Sequence, residues 1–77
     1  MPTTTIILID RETNEPIENA KVCLGFTWGH SQNGWTDSNG EVDLDHSSTG
    51  EATLYINGRD CGTVMTPGVI KKYGRRR

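Results

Sequence analysis

The sequence predicts an all-β fold, a small antiparallel β-sandwich of six or seven strands, and three observations carry that reading. Thr, Ile and Val number 10, 6 and 4, against 2 Ala, 4 Leu and 2 Met, and β-branched residues favour strands over helices. Several stretches alternate apolar and polar residues with the period of two that a half-buried strand requires. Turn-forming residues recur roughly every eight to twelve residues, the rhythm of a small sandwich or barrel.

Each element follows in order. Residues 3–9 are a run rich in β-branched residues without a breaker, ending in the polar stretch from Asp10 to Pro16, so a strand leads into a turn. Ala20, Val22, Leu24 and Phe26 then alternate with Lys21, Cys23, Gly25 and Thr27, giving a half-buried second strand. Trp28 to Trp35 enclose a glycine-flanked polar loop that fits a hairpin connection, with Trp35-Thr36 beginning the third strand. Asp37-Ser38-Asn39-Gly40 is a tight-turn signal, because Asn-Gly takes positive φ at little cost. Val42 and Leu44 alternate with Glu41, Asp43 and Asp45; Ala52, Leu54 and Ile56 alternate with Thr53, Tyr55 and Asn57. Asn57-Gly58 is a second turn of the same chemistry, Cys61 to Met65 returns, and Pro67-Gly68 breaks the strand before a short Val69-Ile70 strand. The expected core is Ala20, Val22, Leu24, Phe26, Val42, Leu44, Leu54 and Ile56. No helix is called for.

At 77 residues the chain makes one domain or part of one, too small for two cores. Only 32% of it is hydrophobic, so the core is thin and leaves little room for an enclosed ligand cavity. The net charge of −2 hides an asymmetry: residues 1–70 hold Arg11, Lys21 and Arg59 against all ten acidic side chains, and Lys71, Lys72, Arg75, Arg76 and Arg77 follow. The expected organisation is a single sandwich over 1–70 and a basic tail over 71–77. No apolar run reaches the roughly 18 residues of a membrane span, and the first residues lack the basic start and apolar stretch of a secretory signal. Synthesis in the cytoplasm, with or without incorporation in a virion, or excision from a longer protein is the expectation. Cys23 and Cys61 match no paired metal motif and are read as two reduced thiols, with a single disulfide as the alternative.

The segments "LIDRETNEPIENAKVCL", "TDSNGEVDL" and "GEATLYI" resemble, in that order, the carboxypeptidase regulatory-like domain, one of the transthyretin-like (prealbumin-like, Ig-like) sandwiches. Asp10, Pro16, Ile17, Ala20, Val22, Thr36, Asp37 and Gly40 take the places of that pattern, covering roughly residues 6–57. The resemblance implies a transthyretin-like fold and scaffold roles for these residues, in a family that is mostly non-catalytic and serves as accessory modules. Hydroxyisourate hydrolases share the fold, but they place a His in the first strand and end in Tyr-Arg-Gly-Ser. Here Ile7 stands near the first position and the chain closes on Tyr73-Gly74-Arg75-Arg76-Arg77, so that activity is not expected. Adhesin domains with internal isopeptide bonds carry a Lys in the first strand, and residues 3–9 have none.

Candidate chemistry is sparse. Asp45-His46-Ser47 holds triad residue types, but neighbours on an extended chain point to opposite faces and cannot form a relay. Asp37 to Glu41 reads as a turn, since the glycine arrives too early for an EF-hand loop. His30 and His46 are read as surface residues, and the acidic stripe Glu41, Asp43, Asp45 as a solvated face that a cation or basic partner could meet. Trp28, His30, Gln32, Asn33 and Trp35 form a candidate ligand loop for glycan or peptide, against the alternative that an indole plugs the core. Ile7 and Ile9 project from the face opposite Ile6 and Leu8, with Tyr55 and Cys23 as candidate neighbours; the strip contacts a partner or is covered by the chain's own last strand. The basic tail, Lys71, Lys72, Tyr73, Arg75, Arg76 and Arg77, is read as a protein-docking arm, and nucleic acid is disfavoured because the acidic body repels a polyanion.

The expectation is therefore a non-enzymatic structural or interaction module without cofactor or metal, docking on a protein partner or larger assembly, its own copies included. An accessory or decoration protein of a phage particle is the type case. The alternative is an excised accessory domain of a surface protein or peptidase that binds glycan or peptide.

Overall fold

A computed structural model describes residues 2–27, 29–31 and 33–74, with backbone alone at His30. Eight strands follow one another without a helix among the described residues: β1 (Thr3–Asp10), β2 (Lys21–Phe26), β3 (Gly29–His30), β4 (Gly34–Trp35), β5 (Glu41–Asp45), β6 (Gly50–Ile56), β7 (Arg59–Thr66) and β8 (Gly68–Gly74). They form two sheets. One runs β5-β1-β8; the other runs β3-β2-β6-β7, with β4 also pairing β2. The all-β sandwich is the fold class read from the sequence, with six strands of five to eight residues and two of only two. One pairing, β1 with β8, is parallel.

Side chains that alternate inward from both sheets make the core: Ile6 and Leu8 from β1, Val22 and Leu24 from β2, Val42 and Leu44 from β5, Ala52 and Leu54 from β6, and Val64 from β7. Ile17 and Ala20 close one end. Phe26 and Ile56, expected inside, are partly buried and pack against this cluster, because each ends its strand.

The resembling residues converge at that end. Thr36 is 4% exposed; its Oγ1 donates to the Ile17 carbonyl at 2.7 Å and accepts from the Ala20 N–H at 2.9 Å. Asp37 Oδ1 accepts the N–H groups of Asn39 and Glu41. Gly40, at φ 74°, lets its backbone pass so close to β1 that a Cβ would stand 2.4 Å from the Leu8 carbonyl oxygen. Asp10 Oδ1 accepts the N–H of Glu12 at 2.8 Å, which fastens the first turn.

Three expectations about connections change. The Asp37–Gly40 turn does not join a hairpin: it carries the chain from β4 in one sheet to β5 in the other, and a turn signal says nothing about which sheet the next strand enters. Trp35 ends β4 instead of beginning a strand with Thr36. The return alongside β2 is broken at Ser31, whose N–H donates to the Leu24 carbonyl while its Oγ accepts the Leu24 N–H, so a side chain replaces a ladder bond. Asn57-Gly58, at φ 54° and 82°, does form the β6–β7 hairpin.

The boundary at residue 70 is also corrected. Lys71, Lys72, Tyr73 and Gly74 are the second half of β8, paired with Ile7, Leu8, Ile9 and Asp10 of β1, so the first four residues of the expected tail belong to the sandwich. Parallel pairing with a buried strand supplies what their own sequence does not, an apolar alternation. Arg75, Arg76 and Arg77 lie outside the described residues.

Candidate functional site

Register brings several of the sequence-selected residues onto one surface, the outer face of the three-stranded sheet. β1 presents Thr3, Thr5, Ile7 and Ile9 there, because Thr4, Ile6, Leu8 and Asp10 point inward and are buried. Across β1 run three rows: Asp43–Thr5–Val69, Glu41–Ile7–Lys71, and Ile9–Tyr73. Ile7 and Ile9 are half-buried; Val69 and Tyr73 are 72% and 52% exposed. The result is an aliphatic and aromatic strip with an ammonium, Lys71, at its middle.

One flank of this face is acidic. Glu41, Asp43 and Asp45 all point outward from β5. Thr3 Oγ1 donates to Asp45 Oδ1 at 2.7 Å and Thr5 Oγ1 to Asp43 Oδ1 at 2.6 Å, which holds two carboxylates in the plane of the sheet surface. The strand spacing of about 4.8 Å puts Glu41 and Lys71 about 10 Å apart with Ile7 between them. Acidic and basic edges thus frame an apolar centre.

Tyr55 and Cys23 are not part of the strip. They face each other across β6 and β2, on the outer face of the other sheet; identical alternation in two strands does not reveal that they belong to different sheets. Nor does β8 cover Ile7 and Ile9, since it lies beside β1 in the same sheet. Lys72, one residue from Lys71, faces the inner side with Ile70 and is half-buried. Cys23 and Cys61 are free thiols.

Of the candidate ligand loop, Trp28, Gln32 and the side chain of His30 lie outside the described residues. Trp35 is 57% exposed on β4, and Asn33 is exposed. An open concavity on the second sheet is lined by residues that include Gly25, Glu51, Thr53, Tyr55 and Thr63; its lining contains no histidine or cysteine.

His46 departs from the surface position expected of it. It is 3% exposed, with Nε2 2.7 Å from Thr4 Oγ1, Nδ1 on the Ser48 carbonyl, and its ring 5.0 Å from that of Phe26. The signal was present in the sequence: residue 46 continues the inward set Val42, Leu44. Asp45 faces the opposite side, bonded to Thr3. Among the described residues no group of three or more His, Cys, Asp or Glu converges to hold a metal ion, and no helix is long and apolar enough to cross a membrane. Compared with known proteins, the chain matches no family model and no curated relative.

Proposed function

We propose that the chain is a non-enzymatic interaction module that docks on a larger assembly through the outer face of its three-stranded sheet. One observation carries this reading: the register of β1 with β8 gathers half-buried Ile7 and Ile9 and exposed Val69 and Tyr73 into one strip around Lys71. Side chains of this kind, apolar with a charged rim, are what a protein interface buries. Both nitrogens of His46 are engaged in bonds to Thr4 and Ser48, which argues against a catalytic base there. The convergence of Asp10, Ile17, Thr36 and Gly40 at one end supports reading that stretch as the carboxypeptidase regulatory-like pattern, whose members are mostly accessory modules. An accessory or decoration component of a virion fits a small all-β sandwich.

The test is photo-crosslinking from within the source cells, with a benzophenone side chain at position 9 or 73 and a control at exposed Thr13. A single dominant protein adduct from 9 and 73, absent from 13, whose purified partner binds the native chain and not an Ile9→Glu variant, supports the reading. Adducts distributed equally over all three positions overturn it.

The exposed Trp35 beside Asn33 favours one second reading, a glycan- or peptide-binding accessory domain. Quenching or a blue shift of tryptophan fluorescence with oligosaccharides, abolished in Trp35→Ala, is its signature.

A further inference from the structure

Among the described residues, the three-stranded sheet ends in two edges of opposite charge to which no further strand is paired. β5 lies at one edge with Glu41, Asp43 and Asp45 exposed; β8 lies at the other with Lys71 exposed and Lys72 half-buried. Hydrogen bonding fixes which main-chain groups face these edges. Leu8 N–H donates to the Gly40 carbonyl at 2.8 Å and His46 N–H to the Pro2 carbonyl at 3.0 Å. In an antiparallel ladder the bonded pairs alternate, so Thr4–Leu44 and Ile6–Val42 are the bonded pairs and the N–H and C=O of Asp43 and Asp45 point away from β1. Arg11 N–H donates to the Gly74 carbonyl at 2.8 Å, so Ile70, Lys72 and Gly74 bond β1, while Val69, Lys71 and Tyr73 direct their N–H and C=O to the open edge.

We infer that copies of this chain associate head to tail, β8 of one copy adding antiparallel to β5 of the next. The inference goes beyond the docking reading above: it uses the two edges of that sheet instead of its outer face, and its partner is a second copy. β8 runs with β1 and β5 runs against it, so two sheets set side by side with the same face outward bring β8 antiparallel to the neighbour's β5. Asp43 and Asp45 on β5, and Val69, Lys71 and Tyr73 on β8, combine an outward side chain with main-chain groups that face the edge, whereas both main-chain groups of Glu41 are bonded to Asp37. Setting Lys71 opposite Asp43 therefore places Val69 opposite Asp45 and, on the inner side, Ile70 opposite Leu44, with no side chain changing face, and the new ladder stops short of Glu41.

Charge selects this pairing over the like-with-like alternatives. β5 against β5 opposes carboxylates, and β8 against β8 centred on Lys71 opposes ammonium groups, both unfavourable across strands. Lysine on an edge strand normally discourages pairing; against an acidic edge it becomes selective instead. On the second sheet Trp35, 57% exposed, stands on β4 beside β5, which adds an apolar side chain near the acidic edge. A head-to-tail contact does not stop at two copies; it closes into a ring or extends.

Sedimentation of the intact chain across concentration tests this. The expected result at low salt is a mass that climbs beyond twice the 8.5 kDa of one chain and falls back as salt is raised. Lys71→Glu and Asp43→Lys are each expected to push association to at least about tenfold higher concentration. Mixing the two variants restores it, because every contact then joins opposite charges. Lys71→Gln and Asp43→Asn move association in the same direction should the reversals fail to fold. A monomer at every concentration, an association that stops at two copies, or one indifferent to both positions overturns the inference. A monomer that still forms the position 9 and 73 adducts with another protein leaves the docking reading standing.

Discussion

Thr4 and His46 are joined by a buried hydrogen bond of 2.7 Å between Oγ1 and Nε2, linking β1 to the residue that follows β5. The Ser48 carbonyl can only accept, so Nδ1–H donates to it, and in the neutral ring Nε2 accepts from the Thr4 hydroxyl. Thr4→Val leaves that nitrogen buried without a donor and is expected to lower unfolding free energy by about 1–3 kcal/mol. The double variant Thr4→Val with His46→Leu, which removes both polar partners, should cost less than the sum of the single changes. Urea unfolding of the four proteins measures the coupling, and strict additivity would show that the bond carries no stability of its own.

Gly40 and Gly58 share nearly the same left-handed backbone, at φ 74° and 82°, but not the same surroundings. A Cβ at 40 would lie 2.4 Å from the Leu8 carbonyl oxygen, whereas one at 58 meets nothing within 4 Å. Gly58→Ala is expected to cost about 1–2 kcal/mol, the conformational term alone. Gly40→Ala must cost clearly more, because backbone has to move. Equal losses of thermal stability would mean that the close approach to β1 is not what fixes glycine at 40.

Thr36 holds two backbone groups from the segment before β2. Thr36→Val keeps the shape and removes both hydrogen bonds, leaving the Ile17 carbonyl and Ala20 N–H unsatisfied, an expected loss of about 2–5 kcal/mol. Thr36→Ser retains the oxygen and should recover most of it. Denaturant midpoints for the pair decide whether the hydroxyl or the methyl matters.

A chain cut after Ile70 loses four of the seven β1–β8 residue pairs, including those beside Leu8 and Ile9. An unattached arm could be deleted without effect on thermal unfolding; removal of half a strand should lower the midpoint by at least about 4 °C. An unchanged midpoint on scanning calorimetry would restore the arm.

What was legible in the sequence was local. Val22–Leu24, Val42–Leu44 and Ala52–Leu54 alternate clearly, and their burial follows; Asn57-Gly58 names its own hairpin. His46 was missed because a polar residue on an apolar face reads as the end of the pattern, when Thr4, 42 residues away, supplies its partner. β8 was missed past Ile70 because Lys71, Lys72 and Tyr73 have no apolar alternation, and their strand conformation comes from pairing with β1 at the far end of the chain. Ile7, Ile9 and Tyr73 were each singled out, but only the register shows that they share a surface and that Tyr55 does not.

Residue-resolved amide hydrogen exchange along β8 bears most directly on the claim that this strand is structural on one side and open for docking on the other. In dilute solution the amides of Ile70, Lys72 and Gly74 should be protected and those of Val69, Lys71 and Tyr73 should exchange quickly, the second set slowing as copies associate. Fast exchange at all six would make 71–74 a free arm, and protection confined to the first set after association would place the contact between copies somewhere other than this edge.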